Sequence, residues 1–149
     1  YSNITGGEYL RIFPQTNKVF RLEQLNELFR LPLKELVSSY STGMKKKLAL
    51  LGQLQQEKPI YILDEPFNGL DLESNRVLEL IVAQLKAKGK TVFISSHILS
   101  PLLECCDLIH VLETGTIRKS YGRNDFAQIV TDLFGDFNQK AEATVRNSI

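Results

Sequence analysis

Cysteine, methionine and net charge are all scarce in this chain of 149 residues, and each scarcity excludes something. The only cysteines, Cys105 and Cys106, are adjacent, which is poor geometry for a structural disulfide. With no other cysteine present, the chain is expected to be reduced and cytosolic. Two neighbouring thiols and two distant histidines are too few for a metal site, so both cysteines are expected in the core or facing a subunit. A formal net charge of +1 removes the electrostatic argument for nucleic acid or an acidic membrane surface. No apolar run approaches the roughly 20 residues needed to cross a bilayer, and no stretch has the layout of a signal peptide. No heptad pattern is long enough for a coiled coil. The sole methionine is Met44, so Tyr1 is not a translation start and an upstream segment is expected.

What is present is an ordinary globular composition, 43% hydrophobic and 23% charged, with enough chain to bury one core. The densest signal is Ile60-Tyr61-Ile62-Leu63 running into Asp64-Glu65-Pro66, then Asn68-Gly69-Leu70-Asp71. Four apolar residues ahead of two carboxylates read as a parallel strand covered on both faces and ending at a polar site. Ligands of open α/β sheets gather at such carboxyl ends. The same pattern also suits a buried strand whose acids only mark its solvent end.

Upstream, Thr5 and Glu8 have capping-box spacing, and Leu22, Leu25, Leu28 and Phe29 recur at helical spacing. Leu31-Pro32 breaks that helix, and Leu33, Leu36 and Val37 suggest a further short turn. Ser41, Thr42 and Gly43 feed a helix carrying Leu48, Leu50, Leu51 and Leu54. Unpaired amides at a helix start attract anions, and Gly43 would let backbone approach a phosphate closely. Lys45, Lys46 and Lys47 either add positive charge there or form a solvated face.

Downstream, residues 72–89 read as an amphipathic helix with Val77, Leu78, Leu80, Ile81, Val82 and Leu85 on the buried side and Gly89 as its stop. Thr91-Val92-Phe93-Ile94 reads as a second buried strand that leads into Ser95-Ser96-His97. His97 fits either a ligand-facing imidazole or a structural one. A short helix over 101–106, strands over 107–113 and 116–121 about a Thr114-Gly115 turn, and a helix over 123–133 complete the pattern. His110 has no chemical role in this reading.

In this order and spacing, Ser41-Thr42-Gly43, Leu63-Asp64-Glu65-Pro66, Gly69-Leu70-Asp71 and Ser96-His97 resemble the signature motif, Walker B strand, D-loop and switch histidine of an ATP-binding cassette. The resemblance covers residues 38–117. It implies an α/β, partial P-loop NTPase-like fold with a mainly parallel sheet core and a helical subdomain. Residues 1–56 would be that helical subdomain, ending in the signature helix. Residues 57–122 would be the C-terminal part of the catalytic core, and 123–149 a C-terminal helix and polar tail.

The resemblance further implies ATP and Mg²⁺ as cofactors, with Asp64 holding the Mg²⁺ water shell and Glu65 polarising the attacking water. His97 would contact the γ-phosphate, and Ser41, Thr42, Gly43 and Asp71 would serve nucleotide. Its implied partners are a second cassette, packed head to tail, and a membrane-spanning transporter subunit through which the chain would sit at the inner face of the cell membrane, with no nucleic acid. The family is one of transporter ATPases.

The chain departs from the family pattern in its signature, where Thr42 replaces a glycine and Met44 a glutamine. It also has no G-x-x-x-x-G-K-[ST] loop. Gly89-Lys90-Thr91 follows Gln84 and precedes a strand, so it is a decoy. Phe13-Pro14-Gln15 imitates a Q-loop but lies too close to Ser41. The P-loop and true Q-loop are therefore expected upstream, and this chain alone is expected to be inactive. Two further readings stay open: the C-terminal lobe of a split-head chromosome-maintenance or DNA-repair ATPase, and a non-enzymatic binding module of cassette fold. A sheet without further strands would expose an edge and an apolar face, so self-association is expected.

Overall fold

The computed structural model describes residues 3–148. They fall into two compact units, one ending at Pro101 and the other starting at Leu102.

The first unit opens with helix α1 (Gly6–Arg11), where Thr5 and Glu8 form the expected capping box. Helix α2 (Leu22–Phe29) follows and ends at Arg30 in the left-handed conformation. Only Phe29 of its apolar stripe is buried. Leu28, expected in the core, is exposed because it lies about 100° round the helix from Phe29. After a 3₁₀ turn at Val37–Ser39, α3 (Thr42–Leu54) forms the centre of the unit, burying Leu48, Leu50, Leu51 and Leu54. Gln55 ties α3 to the first segment by donating from its side-chain amide to the carbonyls of Leu10 and Phe13, each at 2.7 Å.

Strands β1 (Ile60–Asp64) and β2 (Thr91–Ser95) pair in parallel, with Asp64 opposite Ser95. Between them runs α4 (Leu72–Ala87), the crossover helix a parallel pair requires. It stops where Gly89 takes φ +70°. Its buried line is Ser74, Leu78, Val82 and Leu85. Leu80, expected on that line, is exposed, since it sits about 200° round from Leu78.

The expectation that β1 and β2 are buried on both faces is corrected. Tyr61 and Leu63 are buried, but the opposite face is bare, with Ile62 72% and Phe93 58% exposed. Alternation along a strand gives each face its own residues, and no described element covers this one. The bare apolar face is the one anticipated for a sheet of so few strands. We expect the chain in isolation to self-associate and to bind an apolar dye, both reduced by Ile62→Lys. A wild-type chain that is monomeric by light scattering, with dye binding no greater than the variant's, would contradict this.

Helix α5 (Leu99–Cys105) links the two units. In the second, β3 (Leu108–Glu113) and β4 (Thr116–Gly122) form an antiparallel hairpin, with Thr114 and Gly115 at positive φ in its turn. A 3₁₀ turn (Arg123–Asp125) then enters α6 (Phe126–Ser148), whose Phe126 and Ile129 are buried. Val130 and Phe134 of the same helix are exposed. Asp132 of α6 accepts from Lys119 and from the Tyr121 hydroxyl, which fastens helix to hairpin. These contacts hold the Asp132 carboxyl below its usual range, the Lys119 hydrogen bond acting first. His110 Nδ1 lies 2.7 Å from the Ser120 hydroxyl, a structural contact across the hairpin. Cys105 is buried and Cys106 half-buried, with no disulfide between them.

Candidate functional site

The parallel register brings the two acids and the histidine to one edge. Asp64 ends β1 and Ser95 ends β2, and the Ser95 hydroxyl donates to the Asp64 carboxylate. One residue on, the Glu65 amide donates to both the carbonyl and the hydroxyl of Ser95, at 3.1 and 3.0 Å. The chain then leaves the strand because Glu65 takes φ +44°, a left-handed conformation uncommon outside glycine. Strain of this kind concentrates at functional sites. Beyond β2, the Ser96 hydroxyl accepts from the Ile98 amide and donates to its carbonyl, bracketing His97. His97 Nδ1 comes within 2.9 Å of Glu65 Oε2.

That contact has ion-pair distance but not hydrogen-bond alignment. Glu65 Oε2 is shut off from solvent and has no hydrogen-bond donor among the described residues. A buried oxygen in that state calls for a water or an ion. Asp64, one residue away, is exposed. Carboxylate oxygens are hard donors that suit Mg²⁺, so the residues present fit that ion. Among the described residues there is no group of three or more His, Cys, Asp or Glu side chains that could hold a metal ion.

The loop over residues 65–71 is held against the start of α3. Ser41 caps α3, its hydroxyl accepting from the Met44 amide at 3.2 Å. Gly43 is buried where the loop meets the start of α3. A Cβ there would lie 2.3 Å from the Gly69 carbonyl oxygen, so glycine is needed for the loop to approach. Thr42 is exposed.

The lysines also depart from a purely solvated face. Only Lys45 is exposed. Lys46 donates to the carbonyls of Glu65 and Asn68. Lys47 is only 9% exposed; it donates to Asp71 Oδ2 at 2.9 Å and stands 5.9 Å from the centre of the Phe29 ring. Asp71 caps α4, its Oδ1 accepting from the Ser74 amide at 2.7 Å. The Lys47 hydrogen bond, then the Ser74 amide, hold the Asp71 carboxyl far below the usual carboxylate range, so it is ionised at any neutral pH. Its visible work is therefore to fasten α3 to α4.

Sequence reasoning missed Lys46, Lys47 and Ser95. The lysine run stands directly after the helix cap, which was a signal of sorts. Ser95 carried none, because its role comes only from facing Asp64 across the strand pair.

A carboxylate pair at a strand end, a histidine from the adjacent strand and a capped helix tied to the same loop thus meet at one sheet edge. Residues 8–103 match the family model described as "AAA domain, putative AbiEii toxin, Type IV TA system". Residues of this chain are 36% identical over 129 positions to the "Putative ABC transporter ATP-binding protein" of Treponema denticola, covering 87% of this chain and 26% of that protein. They are 35% identical over 121 positions to the bacitracin transport ATP-binding protein BcrA of Enterococcus faecalis, covering 77% of this chain and 39% of the relative. The solved structure of an ATP-binding subunit of an ABC transporter superposes with a TM-score of 0.74 at 31% identity, over 91% of this chain and 58% of that one.

The chain belongs to this AAA family of P-loop NTPases and, among them, to the ATP-binding cassette (ABC) transporter ATP-binding proteins. These relatives favour the transporter ATPase over the split-head lobe. The chain spans from about a quarter to two fifths of the length of the curated relatives it matches.

Proposed function

We propose that this chain supplies the signature helix, Walker B carboxylates, D-loop and switch histidine of an ATPase that hydrolyses ATP to drive transport through membrane-spanning partner subunits. The observation that carries the reading is the convergence of Asp64, Glu65 and His97 at one sheet edge, with a buried Glu65 oxygen that lacks a donor. In this reading residues 1–56 form the helical subdomain, 57–122 the C-terminal part of the core and 123–149 a C-terminal helix and tail.

Asp64 would hold the hydrated Mg²⁺, which when bound neutralises charge on the phosphate oxygens. Glu65 would accept the proton of the attacking water and orient it for in-line attack. His97 would donate to the terminal phosphate and position Glu65. Ser41, Thr42 and Gly43, with Asp71, would serve ATP held by a second cassette packed head to tail. Positioning and electrostatics supply most of phosphoryl-transfer catalysis, so little covalent chemistry falls to these side chains. Among the described residues no helix is long and apolar enough to cross a membrane. The chain by itself would not turn over, because it lacks the phosphate-cradling loop.

The test is phosphate release from ATP by the complete transporter ATPase as Mg²⁺ is titrated. We expect Asp64→Asn to require a much higher Mg²⁺ concentration for half-maximal rate, since one anionic ligand becomes neutral. A variant with the same Mg²⁺ dependence as wild type removes Asp64 from the metal.

A further inference from the structure

Glu65 occupies a left-handed backbone conformation that is strained for any residue but glycine, so something must hold it there. Its amide is fixed by Ser95 from the next strand. Its carbonyl receives the Asn68 amide at 3.3 Å, closing a turn over 65–68 that carries Pro66 at its second position. Phe67, only 1% exposed, anchors that turn in the core. The remaining hold comes from outside the loop. Lys46 reaches from α3 and donates to the Glu65 carbonyl at 2.5 Å and to the Asn68 carbonyl at 2.9 Å. One ammonium thus clasps both ends of the turn.

The clasp starts one residue after Asp64, the acid proposed above to hold Mg²⁺, and from a helix whose capped start carries the signature residues. Lys46 and Asp64 also line the same cleft, of about 110 Å³. Lys46 is half-buried, with its ammonium set on two carbonyls instead of in open solvent. Such bonds to a charged donor are stronger than neutral ones, and here they fix the peptide on which Glu65 turns.

We propose that Lys46 is a positioning residue for Glu65. By holding the Glu65 and Asn68 carbonyls it keeps the left-handed turn that aims the carboxylate, and it makes that turn move with the helix start at residues 41–43. The inference rests on the ATPase reading above and extends it to a residue outside the recognised motifs. Lys46 touches neither the substrate nor the reacting atoms, so it acts only through Glu65.

The experiment compares Lys46→Met, Lys46→Arg and the exposed control Lys45→Met in the complete transporter ATPase, each with and without Glu65→Gln. A displacement of about 1 Å can cost about a hundredfold in rate. Lys46→Met should therefore lower kcat by about 10- to 100-fold, with KM moving by less than about threefold. Lys46→Arg, which can still donate to both carbonyls, should restore most of the rate, and Lys45→Met should leave it unchanged. In the Glu65→Gln background Lys46→Met should cost no further rate, because its effect passes through Glu65.

Amide exchange in the complete transporter ATPase gives an independent readout that needs no turnover. Lys46→Met should speed exchange at Asn68 by about tenfold or more, while Lys46→Arg and Lys45→Met do not. Full-strength loss in the Glu65→Gln background, failure of arginine to rescue, or unchanged exchange at Asn68 overturns the proposal. If instead Glu65→Gln alone leaves hydrolysis at wild-type rate, the ATPase assignment fails, and the exchange result still decides whether Lys46 clasps the turn.

Discussion

Replacing Glu65 by glutamine in the complete transporter ATPase is expected to lower kcat for ATP hydrolysis by about 10²–10⁴-fold, the usual weight of a positioned general base. Affinity for ATP should change by no more than a few-fold. The separation follows from what the substitution keeps. Glutamine has the size of glutamate, and the contacts that hold the turn use the backbone of Glu65, through its amide to Ser95 and its carbonyl to Lys46 and Asn68. Only the capacity to take a proton and the negative charge beside His97 are lost. Nucleotide should therefore bind and persist unhydrolysed. Single-turnover measurement with ATP, alongside equilibrium binding, reads both halves of the expectation. An unchanged hydrolysis rate would remove Glu65 from the chemistry, and a matching loss of binding would make it a structural residue.

Gly43→Ala is expected to damage both stability and turnover. Alanine is the better helix former by about 1 kcal/mol in a helix interior, and position 43 lies in the first turn of α3, so propensity alone predicts a gain. Sterics decide the other way. The added carbon would sit 2.3 Å from the Gly69 carbonyl oxygen, a backbone atom that cannot rotate out of the way. Overpacking of this kind costs about 1–3 kcal/mol, so a net loss of up to about 2 kcal/mol is expected. The loop must retreat, and the loop that carries Gly69 also carries Glu65 and Asp71. A fall in kcat of about 10-fold or more should accompany the loss of stability. Denaturant midpoints and ATPase rates of Gly43→Ala should be set against Thr42→Ala. Thr42 is exposed, and its substitution is expected to shift stability by less than about 0.5 kcal/mol. A Gly43→Ala protein as stable and active as wild type would show that the loop does not need the close approach.

Both expectations concern the same short loop, and they show how the site divides between local and long-range causes. Glu65 is held on one side by β2 and on the other by α3. Within residues 65–71 only the Asn68 amide reaches the Glu65 backbone, and its other hydrogen bonds come from outside the loop. The strain at Glu65 is thus maintained by contacts 19 and 30 residues away in sequence.

Much of the framework was legible in the residue order. The capping box of Thr5 and Glu8, the Ser41 cap, the strand that ends at Asp64 and the parallel return through Thr91–Ser95 each depend on neighbours within a few positions. Periodicity and capping chemistry are local, so a sequence displays them. The motif order from Ser41 to His97 likewise pointed to the ATP-binding cassette, and the relatives bear that out.

Tertiary structure alone decided the rest. Periodicity placed Leu28 and Leu80 inside, yet both face outward, because the width of a buried face is set by what packs against it. It made β1 and β2 look covered on both sides, but a strand cannot signal whether a second layer exists. Nor could residue order show that the Gly69 carbonyl oxygen stands where a side chain at Gly43 would lie. The three lysines looked alike in the sequence, and only the fold separates them. Lys45 stays in water, Lys46 clasps the Glu65 turn and Lys47 pairs with Asp71. A long side chain on a helix reaches whatever the fold brings beside it, and that neighbour is fixed by packing rather than by position in the chain.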